Sequence, residues 1–362
     1  MREGERILVI CNACRYCEGY CAVFPAMEKR LSFTDGDLRY LANLCHDCGE
    51  CLHACPYAPP HQFGINVPKT LAQIRLSSYE AFAWPDGLSK AFKQQSLLTS
   101  LGLSAAFAVL MLALVPVFGG NGLGEPIRDA AFYQVIPHHV MVGVFGAVFG
   151  FVSIALAIGF FRFWKDAKED PSALTKPLAL AHALRDVLTL KYLHAAGADC
   201  TYLGEEARTP WRRWLHHCTS YGFMLCLAST TVAAVYHFAF GWTAPYAYAS
   251  VPVVLGTAGG IGLVIGPTGL LWLRRRQDQA TGDPAQQGFD LSFIALLLLT
   301  SVTGLLLLMF RETAAMTALL IIHLGVVLAL FVTLPYGKFV HGVYRSAALI
   351  KYAVECMRAG QI

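Results

Sequence analysis

The sequence predicts a mainly α-helical protein in two parts, a cysteine-rich water-soluble domain followed by a bundle of six membrane-crossing helices. Three observations predict it: charge is scarce, long apolar runs fill the chain after about residue 96, and eight of the twelve cysteines crowd between Cys11 and Cys55. Charged residues make up 14% of the 362 and hydrophobic ones 56%, whereas soluble domains carry about 25% charge. An ordinary soluble globule is therefore disfavoured, and disordered and fibrous chains are excluded. The net charge of +4 is too small for a nucleic-acid partner, which needs concentrated Lys and Arg. The cysteines are too sparse for a small secreted disulfide scaffold.

Residues 1–95 balance ten basic against ten acidic residues and read as the soluble domain. Two cysteine runs organise it: Cys11-x2-Cys14-x2-Cys17-x3-Cys21 and Cys45-x2-Cys48-x2-Cys51-x3-Cys55-Pro56. The second matches the bacterial ferredoxin spacing at every position. Three thiolates on a tight loop cap three irons of a cubane, and the fourth iron points away towards a distant ligand, so the fourth cysteine of each run binds the other cluster. This assigns one 4Fe–4S cluster to Cys11, Cys14, Cys17 and Cys55 and a second to Cys45, Cys48, Cys51 and Cys21. Zinc sites use two separated pairs rather than two quadruplets. Disulfides need an oxidising compartment, and the loop charges of the membrane part place this domain in the reducing one. One departure is visible, since Cys21 precedes Ala22 and the nearest proline is Pro25.

Between the runs, residues 32–44 have a helical pattern. Thr34 is placed to cap the helix and Asp37 stands in the acidic third position, with Leu38, Leu41 and Ala42 on one apolar face. A helix feeding straight into Cys45 points to an α-helical two-cluster ferredoxin domain rather than the small βαβ kind. The remaining Cys200, Cys218, Cys226 and Cys356 lack ligand-like spacing and read as unpaired structural cysteines.

A membrane helix needs about 20 mostly apolar residues. Six segments qualify: about 97–118, 139–163, 217–240, 251–273, 290–310 and 317–340. They are too long and too continuously apolar for a membrane barrel, and the first starts too late for a cleavable signal peptide. The resulting division is 1–95, a bundle over 96–345 with an inner loop at 164–216, and a tail at 346–362. Lys165, Lys168, Lys176, Arg185, Lys191, Arg208, Arg212 and Arg213 fill the loop after the second span. Arg274, Arg275 and Arg276 close the fourth, and Lys338, Arg345, Lys351 and Arg358 follow the sixth. The opposite loops hold Arg128 and Arg311 alone. Positive charge stays cytoplasmic, so both termini and the cysteine domain are expected on that side. Gly143, Gly146 and Gly150, and likewise Gly259, Gly262 and Gly266, recur at i, i+3 and i+7, a spacing that suits close helix packing in lipid.

Ionisable residues in membrane helices are costly and usually functional. His323 and His341, assigned to one sixth span, are five helical turns apart and share a face about 27 Å long. His216 and His217 open the third span and His237 lies near its outer end; His138 and His139 open the second. Imidazole pairs on facing helices hold b haem in bundles. The pattern therefore predicts one or two b haems, with an outer pair of His323 and His237 (or His138 or His139 in place of His237) and an inner pair of His341 with His216 or His217. The alternative, histidines seated at headgroup level and binding nothing, stays open. His46, His53 and His61 are expected to bond locally, and His182 and His194 have no evident role.

Clusters on the cytoplasmic side fused to a histidine-bearing bundle make a one-electron path from water into lipid, where the acceptor is a membrane quinone. No nucleotide-binding glycine fingerprint or nucleophile constellation is present, so a flavin donor must belong to a separate protein. The segments Cys11-Asn-Ala-Cys-Arg-Tyr-Cys-Glu-Gly-Tyr-Cys-Ala-Val-Phe-Pro25, Leu44-Cys-His-Asp-Cys-Gly-Glu-Cys and Tyr57-Ala-Pro-Pro-His61 resemble the tricarballylate-utilisation, or citrate-utilisation, protein B family. The displaced proline fits that family's motif. The likeness continues through Arg185-Asp-Val-Leu-Thr-Leu-Lys-Tyr-Leu-His194, Asp199-Cys200 and Tyr221-Gly-Phe-Met-Leu-Cys226, nearly the whole chain. The resemblance implies an iron–sulfur and haem protein of the bacterial inner membrane. It would reoxidise the flavin of a soluble FAD-containing tricarballylate dehydrogenase and pass electrons to quinone. The rivals are an iron–sulfur and haem subunit of another quinone-linked complex, nitrate-reductase-like or heterodisulfide-reductase-like, and a redox sensor or transporter. A transporter should show repeated broken helices; Pro252 and Pro267 have no matching pair.

Overall fold

The computed structural model describes residues 1–94, 96–117, 132–193, 210–276 and 278–361. Arg128, His194, Asp199, Cys200 and Arg208 lie outside them. The described residues form helices and no strand. The cysteine domain is built from α1 (Arg2–Cys14), α2 (Val23–Glu28), α3 (Asp35–Leu44), α4 (Glu50–His53), α5 (Val67–Phe82) and α6 (Asp86–Gln94). α3 starts as its sequence dictates: Thr34 Oγ1 accepts from the Asp37 N–H at 3.3 Å, and the Asp37 carboxylate accepts from the Thr34 N–H at 3.1 Å. This reciprocal box satisfies two donors that a helix start leaves unpaired. Asn66 caps α5 in the simpler way, accepting from the Lys69 N–H at 3.1 Å.

Then follow α7 (Ser96–Val117), α8 (His138–Asp166), α9 (Pro177–Leu188), α10 (Trp211–Phe240), α11 (Val251–Arg276), α12 (Pro284–Met309), α13 (Met316–Thr333) and α14 (Val340–Arg358). By length and composition, six of these (α7, α8, α10, α11, α12 and α13) are long and apolar enough to cross a membrane. They coincide with the six expected runs except at the end of the last. α13 packs on α7, α8 and α12, while α11 packs on α12 and carries α10 on its other side.

The sixth run does not continue to residue 340. A proline removes an N–H from the helical ladder and crowds the turn before it, and Pro335 does so here. α13 ends at Thr333, its last turns tighten into Leu334 N–H to Phe331 O and Tyr336 N–H to Thr333 O bonds, and α14 starts afresh at Val340. His323 and His341 therefore sit on different helices, and the shared-face argument that joined them fails.

The second correction concerns the C-terminus. Residues 346–362 are not a tail over most of their length, because α14 is a central helix of the cysteine domain. Ala347, Ala348 and Val354 are fully buried among Leu38, Leu41, Tyr40 and the inner end of α8 at Phe163 and Trp164. The charged side chains follow this burial. Arg30 bonds Glu355 at 2.5 Å and Asp37 at 2.7 Å; Arg358 bonds Glu169 at 2.5 Å; Lys351 donates to the Ala167 carbonyl at 2.5 Å and lies 3.8 Å from Glu355. α3 joins the end of α8 through Arg39 and Asp166 at 2.5 Å. Gly36 is required beside it, since a Cβ there would collide with the Asp166 carbonyl. The network ties the N-terminus, the loop after α8 and the C-terminus to one end of the bundle. Breaking a buried pair costs about 3–5 kcal/mol. The Glu355→Ala protein is expected at the lower end, about 3 kcal/mol, because Asp37 still faces Arg30; urea unfolding followed by helical circular dichroism checks this.

Candidate functional site

The two cysteine runs are folded towards each other by short turns. Cys11 and Cys14 share one face of the last turn of α1, after which Arg15 takes a left-handed φ of 55° and reverses the chain towards Cys17 and Cys21. Asp47 (φ 58°) and Gly49 (φ 84°) bend the Cys45–Cys51 loop in the same way. Only glycine adopts such values cheaply, so Arg15 and Asp47 are held there by their surroundings.

The result is two adjoining cavities. Cys11, Cys14, Cys17 and Cys55 line the first, with Tyr16, Pro56, Tyr57 and Ile65. Cys21, Cys45, Cys48 and Cys51 line the second, with Tyr20, His46, Gly49 and Glu50. Cys51, Phe24 and Val67 line both and form the shared wall. The crossed grouping expected from spacing alone is thus the grouping that the fold brings together. Among the described residues no three His, Cys, Asp or Glu side chains converge on a point as a single ion requires. Four thiols spread around a cavity fit a multi-iron core instead.

The electrostatics agree. Burial, then repulsion from Cys55, Cys17 and Cys14, pushes the Cys11 thiol up to about 12, and burial with Cys55 and Cys14 does the same to Cys17. Burial raises Cys48 to about 11, and raises Cys21 and Cys51 well above the ordinary thiol value, each aided by cysteines of the second cavity. Left to themselves these thiols stay protonated at neutral pH. Four thiolates share such a cavity only around a compensating positive core.

The two cavities differ in their surroundings. The first opens to solvent, with Cys14 and Tyr16 exposed. The second lies against the bundle and meets a group of cations that no local sequence pattern announces. Arg75 of α5 is 1% exposed and donates from Nε to the Ala42 carbonyl at 2.9 Å. Arg345 of α14 donates to the Cys45 carbonyl at 2.7 Å, and Arg212 of α10 to the Asp47 carbonyl at 2.8 Å. Lys338 pairs with Asp290 at 2.8 Å, and Arg274 bonds the same carboxylate. Burial pushes the Asp47 carboxyl up, but the charges of Arg75, Lys338, Arg212 and Arg345 outweigh it and hold it below the usual range. Burial, then Arg75, lowers Arg345 to about 10, still fully charged at neutral pH.

One turn before Arg345, His341 faces His216 of α10 with ring centroids 6.0 Å apart and planes at 78°. His341 Nδ1 is held by the Lys338 carbonyl at 2.5 Å, leaving Nε2 as the available nitrogen, and His216 Nδ1 is buried without a partner. Metal–imidazole bonds of about 2.0 Å put the centroids of two ligating rings roughly 6 Å apart, and the separation of this inner pair matches that distance. His217 points elsewhere, stacked on Tyr221 at 5.4 Å. The outer histidines assemble differently from the expectation. His237 stacks on His138 at 3.5 Å, too close for an iron between them, while His323 bonds the Thr303 hydroxyl at 2.9 Å and packs against Gly304 on α12. His139 heads a face of α8 shared with Gly143, Gly146 and Gly150 at i+4, i+7 and i+11. A Cβ on any of these three glycines would meet nothing within 4 Å, so they do not serve the helix packing expected of them. The α11 glycines do, as they abut Gly222, Cys218 and Thr219 of α10.

The smaller expectations hold in part. His46 bonds the Leu44 carbonyl at 3.0 Å through Nδ1, and His61 accepts from the Phe63 N–H at 3.1 Å. Cys218, Cys226 and Cys356 are unpaired.

Comparison with known proteins brings these parts under one description. The family model for citrate utilization protein B matches residues 90–361, and the model for the Fer4-like domain of the same protein matches residues 4–81. A protein of Escherichia coli named citrate utilization protein B is 48% identical over 359 residues, covering 99% of this chain and 93% of its own length. No solved structure matches the chain significantly.

Proposed function

The chain belongs to the citrate utilization protein B family, and from that premise we propose that it is a membrane electron-transfer protein serving a soluble FAD-containing dehydrogenase of a tricarboxylic acid such as tricarballylate. Each turnover takes two electrons and two protons from reduced flavin and returns two of each to a membrane quinone, so the chain between them must handle electrons singly. Two 4Fe–4S clusters and a b haem supply that one-electron chemistry when bound. Cys11, Cys14, Cys17 and Cys55 hold the first cluster, Cys45, Cys48, Cys51 and Cys21 the second, and His216 with His341 the haem. In this reading the cysteine domain and both termini lie on the cytoplasmic side, which the positively charged loops support.

The observation that carries this reading is the succession of sites: an outer thiol-lined cavity, an inner one sharing its wall, and an imidazole pair one helical turn from the arginine on the Cys45 carbonyl. The test is anaerobic purification of the full chain with assay of iron, acid-labile sulfide and haem. About eight irons and about eight sulfides per chain are expected for two cubane clusters, and a reduced flavoprotein should become oxidised only when both this protein and a quinone are added. Protein free of acid-labile sulfide would sink the reading.

A further inference from the structure

Two sites with the same four ligands need not hold an electron equally well, and the charges around them say which holds it better. Within hydrogen-bond distance of the Cys45–Cys48 loop, Arg345 reaches the Cys45 carbonyl and Arg212 the Asp47 carbonyl. Arg75 lies beneath, 3.6 Å from the Asp47 carboxylate. These three cations come from α14, α10 and α5, so nothing in the local chain demands that they meet. Two of their nitrogens, Arg75 Nη2 and Arg345 Nε, are buried with no hydrogen-bond partner. A buried guanidinium left partly unpaired, with like charges beside it, is costly. The Asp47 carboxylate offsets Arg75 in part, and the thiol cavity on the other side of the Cys45–Cys48 loop is where a further anion would lie.

Backbone N–H groups are also unevenly shared. The Asp47 N–H reaches Cys45 Sγ at 3.4 Å, the Glu50 N–H bonds Cys48, and those of Val23 and Phe24 bond Cys21. In the first cavity such bonds reach Cys55, from Tyr57 and Ala58, and the influences on Cys11 and Cys17 are burial and other cysteines, with no arginine.

We propose that Arg75, Arg212 and Arg345 form a cationic cradle that makes the Cys21/Cys45/Cys48/Cys51 site the stronger electron acceptor of the two, so that charge entering at the exposed site is drawn towards the bundle. This deepens the electron-transfer reading and rests on it. A thiolate-bound cluster carries net negative charge, one unit more when reduced, and its potential follows net charge, hydrogen bonds to sulfur and solvent exposure. Burial alone would order the sites the other way, because the more charged reduced form loses hydration at the inner site. The Glu50 and Asp47 carboxylates oppose the electron there as well. The cradle is what reverses the order. The three arginines act through charge on a site they do not ligate, and are positioning residues.

The test is a reductive titration of the full-length, anaerobically purified protein followed by electron paramagnetic resonance, for wild type, Arg345→Gln, Arg345→Lys and Arg212→Gln. Removing one nearby charge at an effective dielectric of about 20 is worth about tenfold in the ratio of reduced to oxidised site, which is ~59 mV for one electron. The higher-potential signal should fall by that amount in both Gln proteins and stay put in Arg345→Lys, while the lower-potential signal moves less than about threefold. The Cys51→Ser protein should lack the higher signal. Arg212 lies at the start of α10 on the periphery, so Arg212→Gln carries the test if Arg345→Gln does not fold. Clusters that load normally but keep both midpoints in the Gln proteins, or a higher signal that survives Cys51→Ser, overturn the cradle alone. Absence of acid-labile sulfide overturns the functional reading and the cradle with it.

Discussion

The Cys51→Ser protein is expected to insert and fold, to contain about half the wild-type iron and sulfide, and to lose flavin-driven quinone reduction entirely. Cys51 stands on α4 at the wall between the two cavities, buried among Cys48, Cys45, Cys21 and Cys17. A serine hydroxyl has nearly the same shape but is a hard, weakly acidic ligand, whereas iron–sulfur cores select soft thiolate. The substitution therefore removes the site without removing volume from the core. α4 packs chiefly on α5 rather than on the membrane helices, so insertion is expected to be unaffected. On the proposed path electrons cross from the outer cavity to the bundle, so losing the inner site breaks the path and does not merely slow it. Iron and sulfide per chain, together with flavin reoxidation in quinone-containing vesicles, measure both halves of the expectation. Cys218→Ser, whose thiol lies outside both cavities, should behave as wild type. Full quinone reduction by the Cys51→Ser protein would rule out the conducting role.

The cysteine grouping was legible in sequence because it depends on short-range geometry. Within each run the spacing fixes which three thiols share a loop and which one points away, and the fold then brings Cys21 to the Cys45 run and Cys55 to the Cys11 run. The helix from Thr34 and the six apolar runs were legible for the same reason, since each is set by residues within one element. What failed depends on partners distant in sequence. Pro335 was visible, yet an apolar run continuing to either side masked its effect on α13. α14 has mixed charge and read as a tail because the partners of Lys351, Glu355 and Arg358 are Ala167, Arg30 and Glu169. Gly143, Gly146 and Gly150 have the same spacing as the α11 glycines, and spacing does not say what lies opposite. The cradle arginines come from three separate helices, so no pattern within one element announced that they meet.

Replacing Gly259 by leucine should strip haem from the protein while leaving both iron–sulfur sites loaded. α10 is held to the bundle mainly through α11, and the contact is made backbone to backbone. A Cβ at Gly259 would lie 2.7 Å from the Gly222 carbonyl oxygen, 2.8 Å from Cys226 Sγ and 2.9 Å from the Cys226 nitrogen. Neither of the backbone atoms can swing aside as a side chain can, and helix association in lipid relies on such close packing because no hydrophobic gain drives it. Overpacking typically costs about 1–3 kcal/mol, and the full side chain of leucine should exceed that at this spacing. α10 must then tilt or slide on α11, and it carries His216, whose distance and angle to His341 are set by that packing. The cysteine domain, held through α14 and the loop after α8, does not depend on α10 for its core. The pyridine-haemochrome yield should therefore drop at least about tenfold, as outer-support losses at metal sites do, with sulfide content unchanged. Gly143→Leu is the control: its Cβ meets nothing within 4 Å on α8, so the helix pack should tolerate it. Equal haem in the Gly259→Leu and wild-type proteins would mean that α10 does not supply a ligand, and the His216–His341 assignment would fall.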